Sequence, residues 1–392
     1  MGTGRKILVG ILIAVLAALL AAAGFFVWKS DAHSPVGNHA VQAGAETITA
    51  GTAAAQTFGA ETGAANAAGT GTGDRLRLEL ETRENNTADT EQNNEAEHAA
   101  ESEIASEEEN EKRDCVLLFA GDVYLSDHVL NAYDRAGGIE GVLDETIRNE
   151  IEAADLFMVN QEFPFTDRGK AAEDKQFTFR LPPERIHILK EMGIDVVTLA
   201  NNHILDFGPE GITDSILALD QAGILHVGAG ENINEAKAMV TVELCGRTVG
   251  FLGVSRVYMS ADWAAGYSHP GVFSTYDPTL ALEEIRKARE QVDYLVVYVH
   301  WGVERETAPK EYQRTMGRQY IDAGADLVIG SHPHVLQPME YYNGKPIVYS
   351  LGNFVFGSSI PSTELFKVVL GEDEVTVTEI PCTSSGGYTR VK

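Results

Sequence analysis

The chain has 392 residues, with 30 Lys plus Arg against 58 Asp plus Glu and a formal net charge of −28 at pH 7. A surface that acidic repels phosphate backbones and excludes nucleic-acid binding driven by charge. Three cysteines, Cys115, Cys245 and Cys382, are too few and too scattered for a disulfide scaffold or a Cys-rich zinc module, and they leave at least one thiol unpaired.

Ile7 to Trp28 is an uncharged run of 22 residues, ILVGILIAVLAALLAAAGFFVW. At 1.5 Å per residue it can cross a hydrocarbon core of roughly 30 Å. Arg5 and Lys6 precede it and only Lys29 follows closely, which favours a cytoplasmic N-terminus with everything after residue 29 outside. Ala21-Ala22-Ala23 offers a rival reading as a cleaved signal peptide, but the apolar stretch is longer than the usual h-region. The expectation is an N-terminal transmembrane anchor over residues 1–29 of a single-pass protein of the cell membrane.

Residues 30–114 read as a linker rather than a domain. Between Ala43 and Gly73, 25 of 31 residues are Ala, Gly or Thr, which leaves little apolar surface to bury. Asp74 to Asp114 holds 15 acidic and 5 basic residues, and such a segment cannot offset its ordering entropy. The expectation is disorder, a spacer that holds a head away from the bilayer.

Residues 115–392 carry the fold. The runs VLLFAG, DLFMVN, DVVTLAN, YLVVYVHW and DLVIGS read as buried strands. Helical patterns lie between them. One opens at Pro183-Glu184, buries Ile186 and Leu189 and stops at Gly193. A second follows Gly208-Pro209 with Ile212, Ile216 and Leu219 on one face, and a third presents Ala281, Ile285, Ala288 and Val292. Hairpin signals stand at Cys245-Gly246-Arg247, Asn343-Gly344 and Gly371-Glu372-Asp373. The pattern is α/β, with a mixed sheet or two stacked sheets and helices outside.

In such folds ligands gather at the C-terminal ends of strands. The residues delivered there are Asp122, then Asn160 and Glu162, then Asn201, Asn202 and His203, then His300, then His332 and His334. Each alone has an ordinary explanation: Asp122 as a turn former, Asn201-Asn202-His203 as a local turn, His300 beside Trp301 as a satisfied core imidazole. In His332-Pro333-His334 an extended backbone would point both imidazoles to one side. Together the five strand ends suit a site for two divalent metal ions, Mn, Fe or Zn rather than thiolate-loving ions. His203, next to Asn202, suits a general acid or electrostatic stabiliser. Asp206, Glu304 and Asn353 are candidate acceptors behind the histidines. Arg180 and Arg256 could meet an anionic substrate, though solvated surface is the simpler reading.

The order GDV (121–123), NQEFPFT (160–166), LANNHILDFGPEGI (199–212), VHWGVE (299–304), GSHPHVLQPME (330–340) and YSLGNFVFG (349–357) resembles the CapA family of capsule and poly-gamma-glutamate synthesis proteins, within the calcineurin-like metallophosphatase superfamily. The resemblance implies a metallophosphatase-like β-sandwich of two mixed sheets flanked by helices. It implies metal ligands at Asp122, Glu162, Asn202, His300, His332 and His334, with His203 in the catalytic position. It also implies a metal-dependent hydrolase of the metallophosphoesterase type, and partners among capsule-synthase subunits and an anionic polymer. Two departures stand out: Tyr124 occupies a position where the superfamily has histidine, and Glu162 one where it has aspartate. Asn160 and His128 are candidates to complete the ligand set. The rival function is a non-catalytic subunit that binds polymer or partner proteins in a capsule-synthase complex.

Overall fold

The structure is a computed structural model that describes residues 113–392. The anchor expected over residues 1–29 and all of the expected linker except Arg113 and Asp114 lie outside the described residues. Among the described residues no helix is long and apolar enough to cross a membrane.

The chain runs β1 (Cys115–Val123), α1 (Asp127–Ala136), α2 (Glu145–Glu152), β2 (Leu156–Gln161), α3 (His187–Glu191), β3 (Val196–Thr198), α4 (Pro209–Ala222) and β4 (Leu225–Val227). It continues through β5 (Ala229–Gly230), α5 (Ile233–Ala236), β6 (Val240–Leu244), β7 (Arg247–Ser255), β8 (Gly271–Val272), α6 (Thr279–Arg289), β9 (Tyr294–His300), α7 (Glu311–Ala323) and β10 (Leu327–Ser331). It ends in β11 (Leu336–Tyr342), β12 (Lys345–Leu351), β13 (Asn353–Val355), β14 (Ser359–Leu370), β15 (Val375–Ser385) and β16 (Tyr388–Val391).

One sheet has the order β16-β15-β14-β1-β2-β3-β4, with β13 paired to β1. It is parallel from β1 to β4 and antiparallel from β1 out to β16. The other, β11-β12-β10-β9-β7-β6, is parallel in its centre and antiparallel at both edges. The apolar runs are continuous because alternate residues enter different cores. Leu117, Phe119, Leu156 and Met158 pack with Val296, Tyr298, Leu327 and Ile329 in the layer between the sheets. Leu118, Ala120, Phe157 and Val159 face the other way, onto Val129, Ile147, Ile188 and Leu219 of helices α1 to α4. On the far side Leu295, Val297 and Val328 pack on Ala281 and Ile285 of α6 and Tyr320 of α7. Two mixed sheets flanked by helices result.

The local expectations map as follows. The five apolar runs are strands, although the DVVTLAN strand is only Val196–Thr198. The Pro183 helix is a 3₁₀ turn leading into α3, which buries Ile188 and Leu189 and leaves Ile186 half-buried. Two hairpin turns place consecutive residues at positive φ, Cys245 and Gly246 (52° and 70°) and Asn343 and Gly344 (50° and 77°). That is the geometry of a two-residue turn matched to strand twist.

Candidate metal centre

The C-terminal ends of β1, β2, β3, β9 and β10 meet at one edge of the sandwich, so stacking the sheets brings their polar residues together. Gly121 makes the β1 end possible. A Cβ there would sit 1.8 Å from the carbonyl oxygen of Gly352, which accepts a hydrogen bond from the Asp122 N–H at 2.9 Å. Asp122 is fully buried; its Oδ1 accepts from Asn160 Nδ2 at 2.8 Å and its Oδ2 lies 3.1 Å from His334 Nδ1. Glu162, one residue past β2, is also fully buried. Its Oε1 is 3.5 Å from His300 Nε2 and its Oε2 is 3.9 Å from His334 Nδ1. Asn202 brings Oδ1 to 2.7 Å from the same His300 nitrogen, while Ser331 Oγ lies 2.9 Å from the other. Donor atoms of Glu162, His332 and His334 all lie within 4.8 Å of one another.

One expectation needs correction. His332-Pro333-His334 is not extended: His332 has φ 96° and His334 φ 58°, both left-handed. Such values are costly for residues with a Cβ and persist only where surrounding contacts impose them. The two imidazoles meet, ring centroids 5.9 Å apart, because the chain turns sharply after β10, not because alternate side chains share a face.

The electrostatics follow from burial. Burial and the neighbouring Asp122 push the Glu162 carboxyl well above the usual carboxylate range. Burial, followed by the charge on His334, pushes His332 down to about 3, and burial holds His300 well below its ordinary value. Burial also opposes charge on His334, but Glu162 and Asp122 outweigh it and hold that imidazole up at about 10. One imidazolium therefore faces two buried carboxyl groups. Neither Glu162 oxygen nor His332 Nδ1 has a hydrogen-bond partner. Buried polar atoms without partners are rare and costly, and a carboxylate with imidazoles is a fitting donor set for a divalent cation. The residues fit such an ion.

Beside this cluster His203 Nδ1 donates to Asp206 Oδ2 at 2.7 Å, and Phe179 stacks on its ring with centroids 4.2 Å apart. Burial lowers the His203 pKa, partly opposed by Asp206. Lys175, which the sequence reading did not single out, contacts Asp206 and the Asn202 carbonyl and lies 3.1 Å from His203 Nδ1. It sits in the irregular stretch between β2 and Pro183, where no periodicity marks it. Tyr124 stacks on Phe179 at 4.1 Å and meets Phe356 edge-on. The position expected for histidine is thus part of an aromatic wall, lining a cleft of about 700 Å³ that His203, His334 and Arg305 also reach.

The remaining candidates separate. Asn353 Oδ1 lies 2.7 Å from His334 Nδ1, and Asp206 holds His203, whereas Glu304 is exposed at the cleft. The Asn160 oxygen accepts from Asn201 Nδ2 at 3.0 Å, so Asn160 braces Asp122 with its other end. His128 is exposed on α1. Arg180 packs over Phe207 and Arg256 between Tyr276 and Tyr312; neither lines the cleft.

Residues 116–358, which hold every strand-end candidate, match the family model described as bacterial capsule synthesis protein PGA_cap. The chain belongs to this family. Among curated relatives, it is 33% identical over 272 residues to the PGA biosynthesis protein CapA of Bacillus subtilis strain 168, covering 67% of this chain and 70% of that protein. It is 34% identical over 255 residues to the capsule biosynthesis protein CapA of Bacillus anthracis, covering 63% of this chain and 61% of that protein. A probable polyglutamine synthesis accessory protein of Mycobacterium tuberculosis is 34% identical over 240 residues, 59% of this chain and 63% of that protein. The PGA_cap match begins at the second residue of β1 and ends just before β14, so the β14–β16 meander lies wholly beyond it.

Proposed function

We propose that this chain is an accessory protein of capsule or poly-gamma-glutamate synthesis, held by residues 7–28 in the cell membrane with its head outside the cytoplasm. We propose further that the head carries a dinuclear site of the phosphoesterase type. Membership of the PGA_cap family and the names of its relatives support the capsule role, and the uncharged run Ile7–Trp28 with Arg5 and Lys6 before it supports the membrane placement. The second rests on one observation: the buried Glu162 carboxylate has no hydrogen-bond partner, and each of its oxygens lies beside a different histidine. Such a carboxylate would suit two divalent ions, and Asp122, Asn202, His300, His332 and His334 are the side chains that would hold them with it.

Divalent cations, when bound, supply Lewis acidity and a water of lowered pKa for displacement at phosphorus or at an amide carbonyl. The chain's own residues supply the rest. Asp206 fixes His203 with its proton on Nδ1, which leaves Nε2 to hold or give a proton in the cleft. Phe179 covers one face of that imidazole, and Tyr124 and Phe356 pack against Phe179 behind it. Arg305 is a cation at the cleft in an otherwise acidic protein, and suits an anionic group of substrate.

Elemental analysis of the purified full chain tests the site, with the Asp122→Asn/His332→Ala double variant as control. About two transition-metal ions per chain, lost in the control, are expected. Metal-free protein after purification without chelator and with metal supplied would overturn the dinuclear reading in favour of a binding subunit. Capsule production in cells complemented with His203→Ala separates catalysis from scaffolding, since a scaffold would tolerate that change.

A further inference from the structure

Cys115 opens β1 in one sheet and is fully buried; Cys245 occupies the β6–β7 turn of the other and is 3% exposed. Their sulfurs and the Asp155 carboxylate all lie within 4.8 Å of one another. A metal site is the first alternative, but Asp155 is already committed. Its Oδ1 accepts from Arg113 Nη2 at 2.5 Å and its Oδ2 from the Val116 N–H at 2.8 Å. A cation bound there would face the Arg113 guanidinium. The two thiols are left to each other, both in the core layer between the sheets. Cys382 packs in a different core, on the outer face of its sheet. Arg247 already ties this edge together, donating to the carbonyls of Arg113 at 2.6 Å and Gly371 at 2.8 Å.

We propose that Cys115 and Cys245 form a disulfide that staples the two sheets at the end of the sandwich opposite the metal centre. The oxidant is a disulfide, either a small molecule such as oxidised glutathione or a protein dithiol–disulfide exchanger. Cys245, the more accessible sulfur, attacks it as the thiolate, forming a mixed disulfide and expelling one thiol. Cys115 then attacks the Cys245 sulfur, expelling the second. One S–S bond forms and one breaks, two electrons pass to the oxidant, and the two protein thiol protons leave on the released thiols. That the bond persists in the cell rests on the extracytoplasmic reading above; that it can form does not.

The bond closes a loop from β1 to the β6–β7 turn, and that loop carries Asp122, Glu162, Asn202 and His203. The sheet to which it is stapled carries His300, with His332 and His334 just beyond β10. The staple thus fixes the spacing between the two halves of the site.

The test uses the full chain equilibrated with oxidised or reduced glutathione, then denatured, alkylated with N-ethylmaleimide and weighed. After oxidation one of the three cysteines is expected to take the label, and a cross-linked peptide pair should hold Cys115 and Cys245. After reduction all three should label. Reduction should lower Tm by roughly 5–10 °C in wild type and in Cys382→Ser, but not in Cys245→Ser. Three labelled thiols after oxidation, a bond to Cys382, or a tightly held zinc ion lost in Cys245→Ser would each overturn the proposal. If Cys245→Ser does not fold, the wild-type label count decides alone.

Discussion

Glu162→Gln should change the sign of its effect with metal. In the metal-free site two buried carboxylates, Asp122 and Glu162, face one imidazolium, His334, while Lys175 is already matched to Asp206. Glu162 is the unmatched member: its carboxyl accepts no hydrogen bond, and burial with Asp122 beside it pushes it well above the usual carboxylate range, so the folded chain must either hold an uncompensated charge or take up a proton. Replacing that carboxyl with an amide of the same shape leaves Asp122 and His334 balanced one to one. Removing that penalty is worth about 1–3 kcal/mol, so chelated Glu162→Gln should melt higher than chelated wild type by roughly 3–8 °C. With saturating Mn²⁺ or Zn²⁺ the order should reverse. Wild type gains about 3 kcal/mol at a hundredfold excess over Kd, and a variant without the shared carboxylate gains little of it. The assay is thermal melting of both proteins in EDTA and across a metal titration. A variant less stable than wild type in EDTA would mean that Glu162 is structural. A metal-induced shift as large as that of wild type would mean that it is no ligand.

Three further outcomes are expected. Gly121→Ala drives a Cβ into the Gly352 carbonyl at 1.8 Å and should cost about 3 kcal/mol or more, read as a drop in the denaturant midpoint or loss of soluble protein; an unchanged midpoint would refute the close approach. Lys175→Met leaves Asp206, which is fully buried, without its cation and should cost about 3 kcal/mol, where a loss below about 1 kcal/mol would make Lys175 a surface group. Burial and Glu379 hold the Glu364 carboxyl up at about 7, above its unfolded value. Its contribution to stability is therefore full below the unfolded pKa of about 4.3 and is lost as pH rises through about 7. Glu364→Gln should match wild type near pH 4 and exceed it by about 2 kcal/mol at pH 8, partial solvent access trimming the full shift. A constant difference across that range would exclude the carboxyl as its source.

The strands were legible because both faces of each are buried. Leu117 to Ala120 alternate between two separate cores, which produces an unbroken apolar run rather than a period of two. The hairpins were legible because Asn343-Gly344 and Cys245-Gly246 can take the two consecutive positive φ values their turns require. Helix α7 was not. Its buried face is Gln313, Met316, Gly317, Tyr320 and Ile321, where an amide and a glycine interrupt the stripe that an apolar count would find. Gln313 is accommodated inside by its bond to Gln337 at 2.9 Å, a partner from a distant strand that no local pattern reveals.

The site divides along the same line between local and distant causes. Parallel strands deliver their last residues to one edge whatever their sequence, so reading the residue after each apolar run finds Asp122, Glu162, Asn202 and His300. What chemistry those residues carry depends on neighbours that the runs do not encode. Asn160 resembles a ligand in the sequence, yet its oxygen is taken by Asn201 and its nitrogen braces Asp122. Lys175 resembles nothing, yet it is the cation that makes a fully buried Asp206 tolerable, and Asp206 in turn sets the proton on His203. The histidine pair after β10 carries the clearest case. Two residues with Cβ atoms are held at φ 96° and 58°, a strain of order 1 kcal/mol each that glycine would relieve. Glycine would also remove the two imidazoles whose donor atoms lie within 4.8 Å of those of Glu162. Backbone stability alone would favour glycine at both positions, so these imidazoles carry a cost that a pattern of buried apolar runs does not register.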